Sequence, residues 1–186
     1  MDGVLLYNPA RIVRRPVVRF KHLFIPKREK TFLVPQSAIG RFIWRILHWS
    51  SIFVAPGYVD IKRMAKQGLI EPYVITARYD FLKPDFDHWM RKMNGKNIFK
   101  GMYMNSKNEQ PHEYKVRLVQ ELGLDVFVED NWDIVSYLDS HTDIKALWVY
   151  NIFDKNFEYK NKFSSLKEAV AKVRSLAEAH AKISTS

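Results

Sequence analysis

The chain contains no cysteine. Disulfides, thiolate metal sites and cysteine nucleophiles are therefore excluded, and the composition fits a reducing cytosol. Glycine is scarce, at seven residues, and nowhere forms a phosphate-cradling loop, so a P-loop or dinucleotide-binding fold is not expected. No serine sits in a nucleophile-elbow pattern. Long apolar runs are also missing. The most apolar stretch, residues 42–54, contains Arg45 and His48 and is too short to span a bilayer. The N-terminus shows no basic head followed by an apolar run, so no signal peptide is expected. The histidines His22, His48, His88, His141 and His180 have no metal-ligand spacing, and His112, near Lys115, reads as a surface residue within reach of the same region.

What is present points to a folded domain. The 186 residues are 47% hydrophobic and 14% aromatic, enough for one sizeable core with a small insertion. The net charge of +10 is unevenly placed. Residues 10–50 hold ten Lys or Arg against one acid, Glu29, and so supply +9 of it. Pro16, Pro26 and Pro35 prevent one long helix there. The clearest helical pattern in the block is 36–49, where Ile39, Phe42, Ile43, Ile46 and Leu47 recur.

From Pro56 onward strands and helices alternate. Helices are predicted at 58–67 (stopped by Gly68), after Pro84, from Pro111 to Gly123, at 132–138, and from Ser165 to about Ala181, opened by a capping box of Ser165 and Glu168. Strands are predicted at 70–76, 98–103, 125–128 and 146–150. The alternation implies right-handed βαβ units. The fold class expected is α/β, a Rossmann-like three-layer sandwich with a mainly parallel sheet, plus a small, mostly helical basic cap insertion. The divisions read as 1–9, 10–55 and 56–186.

In open α/β sheets, ligands bind outside the carboxyl ends of the strands. Thr76 ends one predicted strand and Glu129 and Asp130 end another, while Lys115 lies early in the helix opened by Pro111. A hydroxyl, an ammonium and adjacent carboxylates at one rim suit a phosphate group with a divalent cation. Local roles compete with this reading. Thr76 can cap the following turn, and Lys115 can be solvated. Asp130 and Asp133 can cap the next helix or offset its dipole. A lysine near a helix N-terminus is nevertheless unfavourable unless an anion lies close by.

Thr76 in VITAR, Lys115 in HEYK and Glu129-Asp130 in VEDNWDIV, in that order and in those contexts, resemble motifs II, III and IV of the haloacid dehalogenase-like (HAD) superfamily. The wording ITAR and EDNWDIV looks nearest its nucleotidase-like and small-phosphatase branches. The resemblance covers roughly residues 56–181. It implies a Mg²⁺-dependent phosphatase acting on a small phosphorylated metabolite or nucleotide in the cytoplasm. Thr76 and Lys115 would hold the phosphoryl group, Arg78 would contact substrate or pair with Asp80, and Asp130, Glu129 and Asp133 would serve the metal.

The superfamily's first motif is a strand followed by Asp-x-Asp-Gly. Met1-Asp2-Gly3-Val4-Leu5 matches its second half, placing Asp2 at the general acid/base position. The nucleophilic aspartate and its strand would fall just ahead of Met1. A start assigned at an internal methionine would explain this, and the chain as it stands is expected to be inactive. The second expectation is a non-catalytic HAD-like module that binds nucleic acid, or another phosphate-rich partner, through the basic block. Charge without sequence order gives salt-dependent, nonspecific attraction.

Overall fold

The computed structural model describes residues 3–7, 37–39, 41, 42, 45 and 53–184. Asp2 and most of the basic block lie outside the described residues.

Five helices and seven strands are described in full. β1 (Leu6–Tyr7) pairs antiparallel with β2 (Phe53–Val54). α1 (Tyr58–Lys66) follows, then β3 (Tyr73–Thr76), α2 (Lys83–Lys92), β4 (Gly101–Met104), α3 (Pro111–Glu121), β5 (Val126–Glu129), α4 (Trp132–His141), β6 (Lys145–Val149), β7 (Lys162–Phe163) and α5 (Leu166–Ser184). β3 is parallel to β4, and β5, β6 and β7 are parallel to one another in that order.

The punctuation expected from sequence is in place. Gly68 and Gly123 take φ of +68° and +59° just past α1 and α3, where a side chain would be strained. Pro84 and Pro111 occupy the first turns of α2 and α3. At α5 the Glu168 backbone N–H donates to Ser165 Oγ at 3.4 Å. The Glu168 carboxylate in turn accepts from the Ser164 N–H at 2.8 Å, one residue earlier than the expected reciprocal bond.

Side-chain alternation shows three layers. In β6, Ala146 and Trp148 pack with Tyr114, Leu118, Ile134 and Leu138 of α3 and α4. Leu147 and Val149 face the other way, against Ala169 of α5. β3 divides likewise: Val74 joins the cluster of α1, α2 and α5, and Ile75 joins that of α3 and α4. Strands buried on both faces belong to a parallel sheet sandwiched between helices. The α/β three-layer expectation therefore holds.

Part of the basic block touches this body. The Arg45 guanidinium lies 3.4 Å from the Asp85 carboxylate in α2, and that of Arg41 lies 5.7 Å from the centre of the Phe81 ring. Ile39 and Phe42 are 74% and 59% exposed, so their helical spacing does not mark a face buried against the body.

Candidate functional site

Thr76 closes β3 and is buried. Its hydroxyl oxygen accepts a bond from the Arg78 backbone N–H at 3.4 Å, and its carbonyl accepts from Asn105 N–H at 3.1 Å. The turn-capping role weighed from sequence is thus occupied. Arg78, two residues on, is also buried, an uncommon location for a guanidinium.

Lys115 lies in the second turn of α3, 5% exposed. Its Nζ donates to Glu129 Oε2 at 2.5 Å and sits 5.9 Å from the centre of the Phe127 ring. The anion that reconciles a lysine with the positive end of a helix is therefore a side chain of the protein, the last residue of β5. Glu129 Oε1 accepts the Asn131 backbone N–H at 3.0 Å, so both carboxylate oxygens are engaged. Burial pushes the Glu129 carboxyl up, but opposing influences, led by the Lys115 charge and including the hydrogen bonds from Lys115 and Asn131, outweigh it and hold the group down at about 2.

The two aspartates beyond Glu129 occupy different settings. Asn131 caps α4, its side-chain oxygen accepting the Asp133 N–H at 3.1 Å, so the capping role considered for Asp130 and Asp133 belongs to the residue between them. Asp133 is exposed in the first turn of α4, where its charge complements the helix dipole. Asp130 is half-buried at the strand–helix junction, and its carbonyl accepts from Trp148 Nε1 at 3.3 Å. Among the described residues no three acidic or histidine side chains gather into an ion cage.

One polar residue was missed from sequence. Asn105, directly after β4, is completely buried. Its Nδ2 donates to the Glu109 carbonyl at 2.7 Å, and its Oδ1 accepts the Glu109 N–H at 2.9 Å. These bonds close the loop that delivers Pro111 and hence Lys115. The available signal was a lone amide at the end of an apolar strand, followed by a polar run.

A cavity of about 580 Å³ has a mixed lining, with Glu71, Asp125, Lys145 and His180 among apolar side chains. It opens between β3 and β5 and is lined by Val74, Ile75, Val126, Phe127 and Val128, one step before Thr76 and Glu129. The structure thus joins Lys115 directly to Glu129, leaves Asp130 beside them in the chain, and sets Thr76 at the end of the strand on the cavity's other side.

No family model and no curated protein matches the chain. Among solved structures it is similar to the crystal structure of a HAD-superfamily hydrolase from Ehrlichia chaffeensis. The TM-score is 0.51 at 10% identity, over 95% of this chain and 92% of that one. The fold is HAD-like. Within that HAD-like fold, β3, α3 and β5 carry the polar residues singled out from sequence, each at or near its rim-facing end.

Proposed function

We propose that this HAD-like chain is a phosphomonoester hydrolase that works with Mg²⁺ on a small phosphorylated metabolite or nucleotide. The observation that carries the proposal is the buried Lys115–Glu129 pair at the end of β5. An ammonium has three donors. Glu129 takes one and fixes the side chain, and the others suit phosphoryl oxygens. Thr76 adds a hydroxyl donor and Arg78 a second cation for substrate.

Asp130 is the carboxylate we assign to the metal, with Asp133 next to it on α4. A sparse carboxylate set completed by water and phosphate oxygens suits Mg²⁺. When bound, the ion would offset charge developing on the transferred group. Glu129 is assigned to Lys115 instead, because both its oxygens already have partners. Asp2 would protonate the leaving oxygen and later activate water. Covalent transfer also needs an aspartate nucleophile.

Turnover of an aryl phosphate with Mg²⁺ tests this. The chain would be extended upstream by an apolar segment ending in aspartate, and compared with the same protein carrying Lys115→Ala or Asp130→Ala. Each variant should lose at least about a hundredfold in kcat/KM. Undiminished turnover in both would overturn the site assignment.

A further inference from the structure

The rim that carries Lys115 and Asp130 continues across β6. Glu129 of β5 stands beside Trp148 of β6 in parallel register, so both strands end on the same side of the sheet. The Trp148 indole Nε1 donates to the Asp130 carbonyl at 3.3 Å. The segment that follows β6 is therefore a neighbour of the carboxylate assigned to the metal.

That segment is a loop, 150–161, which leads to β7. It is fastened along its length. The Asp154 N–H donates to the Asn151 carbonyl at 2.7 Å, and the Phe157 N–H to the Asp154 carbonyl at 3.0 Å. The Trp148 N–H donates to the Asn161 carbonyl at 2.8 Å. From β7 the Lys162 Nζ donates to the carbonyls of Lys155 and Phe157, both at 2.5 Å, and lies 4.5 Å from the centre of the Tyr150 ring. A loop held in this way gives its side chains fixed places.

The fastening nevertheless leaves large apolar groups in water. Ile152 is 70% exposed and Phe157 is 44% exposed. The Phe157 ring lies 4.4 Å from that of Trp132 and 5.6 Å from that of Trp148, centre to centre. Trp132 opens α4 two residues after Asp130, with its ring 5.3 Å from that of Tyr159. Trp132 and Tyr159 are half-buried, so both retain some contact with solvent. Trp148 is wholly buried and anchors the group. The result is an aromatic shelf whose anchoring ring also bonds the Asp130 backbone.

An exposed apolar patch of this kind marks a contact surface, and its continuity with the candidate site decides the occupant. The group esterified to a phosphate held by Lys115 starts from this rim. A flat ring is the shape that stacks on Phe157 and Trp132, and an acyclic polyol has no such face to offer. We infer that Phe157 and Trp132 form a stacking subsite, so that the phosphate ester taken by this protein carries a nucleobase or another flat aromatic group. The inference rests on the phosphatase reading for the phosphate end of the ligand, but not for the shelf itself.

Binding to the whole chain with Mg²⁺ present tests it by calorimetry, with adenosine monophosphate, phenyl phosphate and glycerol phosphate as probes. Both aromatic esters should bind about tenfold or more tighter than glycerol phosphate. Phe157→Leu, which fills the space without a flat ring, should remove that preference, and Phe157→Tyr should keep it. Equal affinities in wild type, or a preference that survives Phe157→Leu, would overturn the inference. If no ester binds, the phosphatase reading fails, and adenosine alone decides the shelf. A saturable shift of the Trp132 indole N–H resonance that Phe157→Leu abolishes would uphold it, and no shift would overturn it. Sedimentation supplies the other arm. A dimer that Ile152→Ser or Phe157→Leu dissociates would give the shelf to a second copy of the chain and overturn the inference.

Discussion

Lys115 and Glu129, fourteen residues apart on α3 and β5, meet as a buried ion pair with Nζ 2.5 Å from Oε2. Both are almost wholly removed from water, so neither charge has solvent as an alternative partner. Desolvating two ions offsets much of their attraction, so the pair need not be strongly stabilising overall. Removing one partner, however, leaves the other charged and alone.

Lys115→Met should therefore destabilise the protein by ~3–5 kcal/mol. Adding Glu129→Gln should recover much of that loss, because the amide oxygen can still accept the Asn131 N–H while the stranded charge is gone. Urea unfolding of wild type, both single variants and the double variant measures the coupling. Strict additivity would show that the two side chains do not interact.

Acid should weaken the fold through the same carboxylate. The Glu129 group titrates at about 2 in the folded protein, below its ordinary 4.5, so the unfolded chain takes up its proton at higher pH. This contribution is present in full above pH of about 4.5 and is lost as pH falls toward about 2. Unfolding free energy followed across that window should fall more steeply in wild type than in Glu129→Gln. Parallel curves would remove Glu129 as the source.

The elements of the body were legible because their signals are local. The glycines after α1 and α3, the prolines that open α2 and α3, and the apolar runs of β3 and β5 each act within a few residues. The β1–β2 pairing was not legible, since Leu6 and Val54 are distant in the chain and each strand has only two residues. β7 escaped for the same reason of length. At the site, the residue types at the strand ends could be read, but their pairing could not. Lys115 and Glu129 looked like separate ligands for phosphate and metal, and only tertiary packing sets them against each other. The cap of α4 fell to Asn131 because an uncharged amide at that position reaches the Asp133 N–H.

Two glycines separate backbone strain from crowding. Gly68 has φ of +68° and open space where a Cβ would go, so Gly68→Ala should cost only the left-handed penalty of ~1–2 kcal/mol. Gly57 has φ of +103°, and an added Cβ would lie 2.9 Å from the backbone N and Cα of Lys167 in α5. Gly57→Ala should thus cost clearly more, because α1 and α5 must move apart. Thermal unfolding of the two variants compares them directly, and equal losses would mean that the approach to Lys167 is readily relaxed.

Asn105 provides the last check, on the loop that sets up α3. Its amide is completely buried and spends a donor and an acceptor on Glu109. Asn105→Ala should strand both Glu109 groups and cost ~2–3 kcal/mol, with faster amide exchange at Glu109. Asn105→Asp keeps the acceptor for the Glu109 N–H but turns the other contact into oxygen against oxygen. Its loss should ease at low pH, where a protonated carboxyl can donate to the Glu109 carbonyl. A pH-independent loss in Asn105→Asp, equal to that in Asn105→Ala, would mean that Asn105 fills space there and does not fasten the loop.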